Sequence, residues 1–365
     1  MTSSYDLAAV TAAFQIPGPF VSADPWGSGH INDTFRITTA PGPAPERSIV
    51  QRINHHVFRD PVALMRNVER VTAHLAAKLA AGPAPDPDRD RRVLRLIPTR
   101  SGQAFHVDAE GNVWRAYGFV SGTRSFNQVE SPEQAFRAAQ AFGRFQALLS
   151  DLPEPPLAET IPGFHHTPTR FQQFQQALAA DSAHRAAACP AEIRFALDRE
   201  SFASVLVRAG LPTRVTHNDT KLNNVLFDET SGEALCVIDL DTVMPGLAAY
   251  DFGDLVRTST SPAAEDERDL SRVTFELPLF EALARGYLST ATFLTPAERQ
   301  LLPTGGILIT FETGLRFLAD HLNGDTYFKI HRENHNLDRA RTQFKLVAEM
   351  ESQLPAMEQL IASLN

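Results

Sequence analysis

His217, Asp219, Lys221 and Asn224 stand at the spacing H-x-D-x-K-x-x-N within VTHNDTKLNNVLFD, residues 215–228. Phosphoryl transfer needs those residue types in that order. Asp219 would accept the proton of an attacking hydroxyl, and Lys221 would neutralise charge on the transferred group. Asn224 would reach back to a metal ion from the end of the same loop. His217 would sit behind the loop and hold its backbone. A second carboxylate, Asp239, follows the apolar run Ala234–Ile238 and so falls at a strand end. There it can share the Mg²⁺ ions that bridge nucleotide phosphates. Asp241, two residues on, would lie to the same side and support it.

These side chains need a scaffold of strand, loop, strand, turn and strand. Val215 supplies the entry, Val225–Phe227 the exit, Asp228–Glu233 the turn, and CVIDLD (Cys236–Asp241) the return. Upstream, the first third of the chain reads mostly as strands: Phe20–Trp26, Asp33–Thr39, Ser48–Asn54, Arg92–Pro98 and Asn112–Val120. One helix, Val62–Ala80, is inserted among them, with Val62, Met65, Val68, Val71 and Leu75 at helical spacing. After Val120 helical periodicity takes over in Glu133–Leu149, Thr167–Ala180, Ala191–Gly210 and Phe275–Ser289. It continues in Ala297–Leu322, with a break expected at Pro303, and in Leu337–Leu364. The expected fold is α+β and bilobal, protein-kinase-like, with a small β-rich N-lobe (1–118) and a larger, mainly helical C-lobe (119–365).

Within that frame the small lobe should bind nucleotide. Gly27 and Gly29, in WGSGHINDTF between two strands, would let a hairpin backbone close over phosphates. His30, Asn32 and Asp33 lie on the same turn, placed either to touch phosphate or acceptor or to stabilise the turn. A cation should point at the phosphates from SIVQRIN. The usual lysine is absent there, so Arg52 is the candidate, with Glu69 on the following helix to orient it. The connector Ala116–Val120, ending in Phe119 and Val120, would offer backbone groups to adenine. In YDFGDLVR, Asp251 or Asp254 would accept hydrogen bonds from the catalytic-loop backbone and cap a following helix.

The acceptor would meet the apolar helix ILITFETGLRFLADHL (Ile307–Leu322). Glu312, Arg316 and Asp320 form an i, i+4 stripe on it. That stripe reads either as surface ion pairs or as a wall of the cleft in which Arg316 grips hydroxyls or a carbonyl. Tyr327, past the turn Asn323-Gly324-Asp325, would stack on a sugar or hydrogen-bond to it.

Composition narrows the classes further. The 365 residues suffice for two packed lobes, and 34 basic against 43 acidic residues give a net charge of −9, which argues against a nucleic-acid surface. Two distant cysteines, Cys189 and Cys236, fit unpaired thiols in a reducing compartment. The N-terminus lacks a signal-peptide pattern and no apolar run approaches membrane-spanning length, so a soluble, cytoplasmic-type protein without membrane partners is expected.

HNDTKLNN with IDLD and a helical second lobe resembles the aminoglycoside phosphotransferase and choline kinase superfamily. The wording GSGHINDTF, IVQRINHHVF, THNDTKLNNVLFD, CVIDLDTVMPG, YDFGD and GLRFLADHLNGD is more similar to the N-acetylhexosamine 1-kinases within it. This resemblance spans nearly the whole chain. It implies phosphorylation of the anomeric hydroxyl of N-acetylglucosamine or N-acetylgalactosamine, with ATP and Mg²⁺, to a sugar 1-phosphate. Carried over by position, Asp219 is the base, Asn224 and Asp239 hold metal, and Arg316 and Tyr327 belong to the acceptor site. The missing strand lysine departs from the protein-kinase pattern. Two alternatives remain: a kinase of another hydroxylated small molecule (another sugar, an aminoglycoside or an amino alcohol), or a catalytically silent nucleotide-binding regulator.

Overall fold

A computed structural model describes residues 5–27, 31–40, 47–82 and 86–364. The chain opens with helix α1 (Leu7–Ala13), followed by strands β1 (Phe20–Pro25), β2 (Asp33–Thr39) and β3 (Arg47–Ile53). Asp60 caps α2 (Pro61–Ala80) by accepting from the Ala63 amide, and Pro61 fits the first turn, where its missing N–H costs nothing. Short strands β4 (Leu96–Ile97) and β5 (His106–Val107) and the longer β6 (Val113–Gly118) complete the small lobe's sheet. Its order is β1-β2-β3-β6-β4, with β5 also on β6, and every pairing is antiparallel.

The two faces of this sheet bury different things. Val50, Trp114, Ala116 and Ile37 pack under α1 with Val10 and Phe14. Ile53, Val113 and Tyr117 point the other way and join α2 and the large lobe in one continuous core. Because side chains alternate along a strand, this division decides which polar residues can face the cleft between the lobes.

After β7 (Thr123–Arg124) come α3 (Pro132–Leu149), α4 (Thr167–Ala180), α5 (Pro190–Leu197) and the single turn α6 (Val205–Arg208). The helix expected over Ala191–Gly210 is interrupted: Glu200–Ser204 tightens to a 3₁₀ turn, where the Ser204 hydroxyl bonds back to the Ser201 carbonyl. Strands β8 (Arg214–Thr216), β9 (Val225–Asp228), β10 (Ala234–Val237) and β11 (Met244–Gly246) follow, pairing as β10-β9-β7 and β11-β8. The expected strand Arg92–Pro98 shrinks to β4 because Arg91 and Arg92 turn away to pair with Asp228 and Glu233 of the β9–β10 hairpin.

The remaining helices are α7 (Ala248–Ser259), α8 (Leu277–Thr290), α9 (Pro296–Gln300), α10 (Leu302–Leu322) and α11 (His335–Ser363). The α9–α10 break falls at Leu301, and Pro303 occupies the first turn of α10. Helices α7 and α10 touch backbone to backbone, since a Cβ at Gly253 would stand 2.4 Å from the Gly305 carbonyl oxygen. Both cysteines are buried and free. Among the described residues, no helix is long and apolar enough to cross a membrane.

Candidate active site

Strand β8 delivers the chain into the loop 217–221, and three buried anchors fix that loop from behind. The Asp251 carboxylate, inside α7, accepts from the amides of His217 (2.8 Å) and Asn218 (2.7 Å). Asp251 therefore belongs to the helix body and not to a cap, and burial pushes its carboxyl up to about 6. His217 lies edge-on to Phe142 and Phe145; its Nε2 donates to the Ile238 carbonyl, and its Nδ1 accepts from the Asp219 amide at 3.3 Å. Asn218 takes a left-handed backbone (φ 63°), a region asparagine tolerates better than most residues. Its side chain donates to the Thr242 carbonyl at 2.9 Å and accepts from the Thr216 hydroxyl at 3.0 Å.

Asp219 emerges from this frame partly exposed. Its carboxylate meets Lys221 Nζ at 2.9 Å, and Asn224 Nδ2 donates both to that carboxylate (2.9 Å) and to the Asp219 carbonyl (2.8 Å). Burial opposes ionisation, but Lys221, His217 and Asn224 outweigh it and hold the carboxyl below its usual range. Asp219 is thus an ionised acceptor at neutral pH, and Lys221 is held protonated beside it, chiefly by Asp219.

Asp239 also adopts a left-handed conformation (φ 62°), directly after β10. Burial, then Asp241 and Asp219, push its carboxyl up to about 7. A half-buried carboxylate crowded by two others is a place that a cation would relieve, and this donor chemistry fits Mg²⁺. Asn224 spends its amide nitrogen on Asp219, which leaves its carbonyl oxygen as the hard ligand of the pair. No three His, Cys, Asp or Glu side chains form a metal cage among the described residues.

Asp241 is occupied differently. One oxygen accepts from the buried guanidinium of Arg115, on β6, and the other from Asn32 Nδ2 at 2.7 Å. Both donors come from the small lobe, so Asp241 joins the lobes. Arg115 Nε is steadied by Gln51 Oε1 at 3.0 Å, its register partner on β3.

This arrangement corrects two expectations on the small lobe. Arg52 shares a face with Val50, away from the cleft; it pairs with Asp33 (2.6 Å) and lies over the Tyr5 ring. Strand alternation puts Gln51 toward the cleft instead. Glu69 is exposed on α2, whose buried face presents Met65 to Arg115 at 4.0 Å and Asn67 to the Val243 carbonyl. Gly27 has φ 80° with open space where a Cβ would project, whereas Gly29 and His30 lie outside the described residues. In the connector, the Phe119 amide donates to the Arg47 carbonyl at 3.3 Å and its ring meets Trp26 edge-on; the Val120 carbonyl accepts from the Thr123 hydroxyl.

On α10 the three-residue stripe divides its work. Glu312 is buried against His165 and the Thr167 hydroxyl (2.6 Å). Asp320 accepts from the amides of Thr326, Tyr327 and Phe328 and from Asn336 Nδ2, and so shapes the loop after the helix. Arg316, between them, forms no ion pair among the described residues and lies against the rings of Phe164 (5.3 Å) and Phe328 (5.5 Å). Arg170 approaches closely enough for the Arg316 charge, after burial, to depress its basicity. Tyr327 is exposed on the same loop, its ring 4.7 Å from Phe328.

Sequence reading missed Arg115, His165 and Arg170. Arg115 has a late signal, a buried charge in the otherwise apolar strand VWRAYG. The other two stand at no telling spacing.

Solved structures share this architecture. An aminoglycoside phosphotransferase from Alicyclobacillus acidocaldarius superposes with a TM-score of 0.64 at 14% identity, covering 100% of this chain and 98% of that one. A microcompartment-associated aminopropanol kinase gives 0.56 at 16% identity, covering 96% and 98%. A choline kinase from Cryptosporidium parvum gives 0.55 at 14% identity, covering 94% and 93%. At these identities the likeness shows the fold alone. The family model for the phosphotransferase enzyme family (APH) matches residues 22–293, strands, catalytic loop and α7 included. The chain belongs to the phosphotransferase enzyme family.

Proposed function

We propose that this phosphotransferase is an ATP- and Mg²⁺-dependent kinase of N-acetylhexosamines that phosphorylates the anomeric hydroxyl to give the sugar 1-phosphate. ATP as donor is supported by family membership and by two fold neighbours described with ADP bound, a spectinomycin phosphotransferase and an aminoglycoside phosphotransferase. The observation that carries the acceptor class is Arg316, held between Phe164 and Phe328 with Arg170 nearby; neither forms an ion pair among the described residues, and the carboxylate near both, Glu312, is bonded to His165 and Thr167. A polycationic aminoglycoside or a quaternary amine would meet like charge there. A neutral sugar would find donors for its hydroxyls and N-acyl carbonyl, with aromatic faces beside them.

Asp219 accepts the proton of the attacking hydroxyl. An anomeric hydroxyl is more acidic than an ordinary alcohol, so a carboxylate held below its usual pKa still serves as base. Lys221 faces the developing charge. Mg²⁺ when bound neutralises the nucleotide phosphates, with Asn224 and Asp239 as its protein ligands. Arg115, on β6 and anchored to Asp241, is a buried small-lobe cation paired with the segment that carries Asp239. Because the reaction needs little covalent help, positioning and charge stabilisation supply most of the acceleration.

The test is ATP consumption with Mg²⁺ across N-acetylglucosamine, N-acetylgalactosamine, unmodified hexoses, kanamycin and choline. The proposal expects turnover concentrated on the N-acetylhexosamines. Turnover on kanamycin or choline alone overturns the acceptor, and nucleotide binding with no turnover favours a silent regulator.

A further inference from the structure

His165 stands at the meeting of the two halves of the large-lobe site. It is buried, and each ring nitrogen faces an oxygen: Nδ1 lies 2.8 Å from Glu312 Oε1 on α10, and Nε2 lies 3.0 Å from the Asn218 carbonyl in the catalytic loop. A carbonyl can only accept. Glu312 already accepts from the Thr167 hydroxyl through its other oxygen. Burial opposes ionisation of Glu312, but His165 and the Thr167 hydroxyl hold its carboxyl below its usual range; a carboxylate can only accept, so both imidazole nitrogens donate, which requires two ring protons. The preceding residue, Phe164, supplies one of the rings against Arg316. One dipeptide thus touches the acceptor-side arginine, the acceptor helix and the peptide next to Asp219.

We infer that His165 is a positioning residue, a buried imidazolium that ties the Glu312 end of the acceptor helix to the Asn218 peptide and so sets the placement of Asp219. The inference rests on the kinase reading for its catalytic consequence. The charged groups acting on the ring are Glu312 from α10 and Asp251 and Asp254 from α7, with Arg316 acting on Glu312 and the Tyr250 ring 5.5 Å away. Burial disfavours the cation, but Glu312 and the Asn218 carbonyl prevail and raise the His165 pKa above its ordinary value. The sign follows. A group whose folded pKa is raised contributes its full stabilisation below the unfolded value of about 6.5, and loses it as pH rises through the folded value. The tie is therefore intact in mild acid and fails on the alkaline side.

The decisive experiment is ¹⁵N NMR of the histidine side chains in the intact wild-type protein, with the His165 signal assigned by its loss in His165→Gln. Two protonated nitrogens at pH 7, titrating together on the alkaline side, are expected. A neutral tautomer at pH 7 overturns the inference, and this readout needs neither acceptor turnover nor a stable kinetic variant. Kinetically, His165→Gln should lower kcat by about 10²-fold through misplacement of the base, leave the KM for MgATP unchanged, and lose the alkaline limb that His165 imposes on the pH profile. Wild-type kcat and an unchanged pH profile in that variant would overturn the positioning role. If His165→Gln fails to fold, Glu312→Gln serves instead, and it should shift the His165 titration to lower pH. Absence of any wild-type phosphotransfer would remove the kinase reading while leaving the imidazolium to be judged by NMR alone.

Discussion

The large-lobe wall of the cleft and the small-lobe wall are built differently. Around Asp219 the loop backbone is fixed by Asp251, His217 and His165, all buried in helices or beneath them. Across the cleft, two donors of the small lobe, Arg115 and Asn32, converge on Asp241. The contrast teaches how such a fold divides its labour. Groups that must be held to within a fraction of an ångström for proton acceptance sit on one rigid body. The small lobe is connected to it through ion pairs that cross between the lobes, the buried Arg115–Asp241 pair and the less buried Arg91–Asp228 and Arg92–Glu233 pairs among them.

Removing the base should give the largest effect. Asp219→Asn keeps the hydrogen bond from Asn224 but cannot accept a proton; kcat should fall by roughly 10²–10⁴-fold, with nucleotide affinity retained in a binding titration. Near-normal kcat would exclude Asp219 as the base.

Breaking the joint comes next. Arg115 and Asp241 have side chains only 1% and 3% exposed. Arg115→Met would leave Asp241 buried without its cation, which costs about 3–5 kcal/mol for an ion pair of this kind. A lowered Tm and a raised KM for MgATP are expected, with a smaller change in acceptor KM. An unchanged Tm would show that the two lobes are not tied there.

Arg316→Ala sharpens the comparison from the acceptor side. Loss of a charged hydrogen-bond donor worth about 1.5–3 kcal/mol corresponds to roughly a 10- to 100-fold rise in the acceptor KM, with the KM for MgATP unmoved. A change in nucleotide KM instead would put Arg316 on the wrong wall. The smallest effect belongs to Glu69→Gln. Because Glu69 is exposed, kcat and both KM values should stay within about twofold; a larger loss would revive an orienting role for it.

The same contrast explains what the sequence made legible. The loop around Asp219 is local: its residues lie within eight positions and a strand boundary fixes their direction, so spacing alone brought Asp219, Lys221 and Asn224 together. Bilobal organisation was equally readable, because the switch from strand to helical periodicity falls close to the end of β6. The small-lobe joint was not. Whether Arg52 or Gln51 faces the cleft depends on which sheet face α1 covers, and Arg115 reaches Asp241 across 126 residues of sequence. His165 likewise acquires its role only when α10 and the catalytic loop close on it from opposite sides. The stripe on α10 was half legible: the i, i+4 spacing was right, but burial decides that Glu312 and Asp320 bond within the fold, while Arg316 forms no ion pair among the described residues.

The central claim is the transfer of a phosphoryl group from ATP to an anomeric oxygen. The most direct measurement is ³¹P NMR of the product formed from ATP, Mg²⁺ and N-acetylglucosamine by the purified protein. A single new phosphate ester coupled to the proton on C1, absent with Asp219→Asn, is the predicted result. A phosphate on any other hydroxyl, or a product that forms equally well without Asp219, would contradict the account.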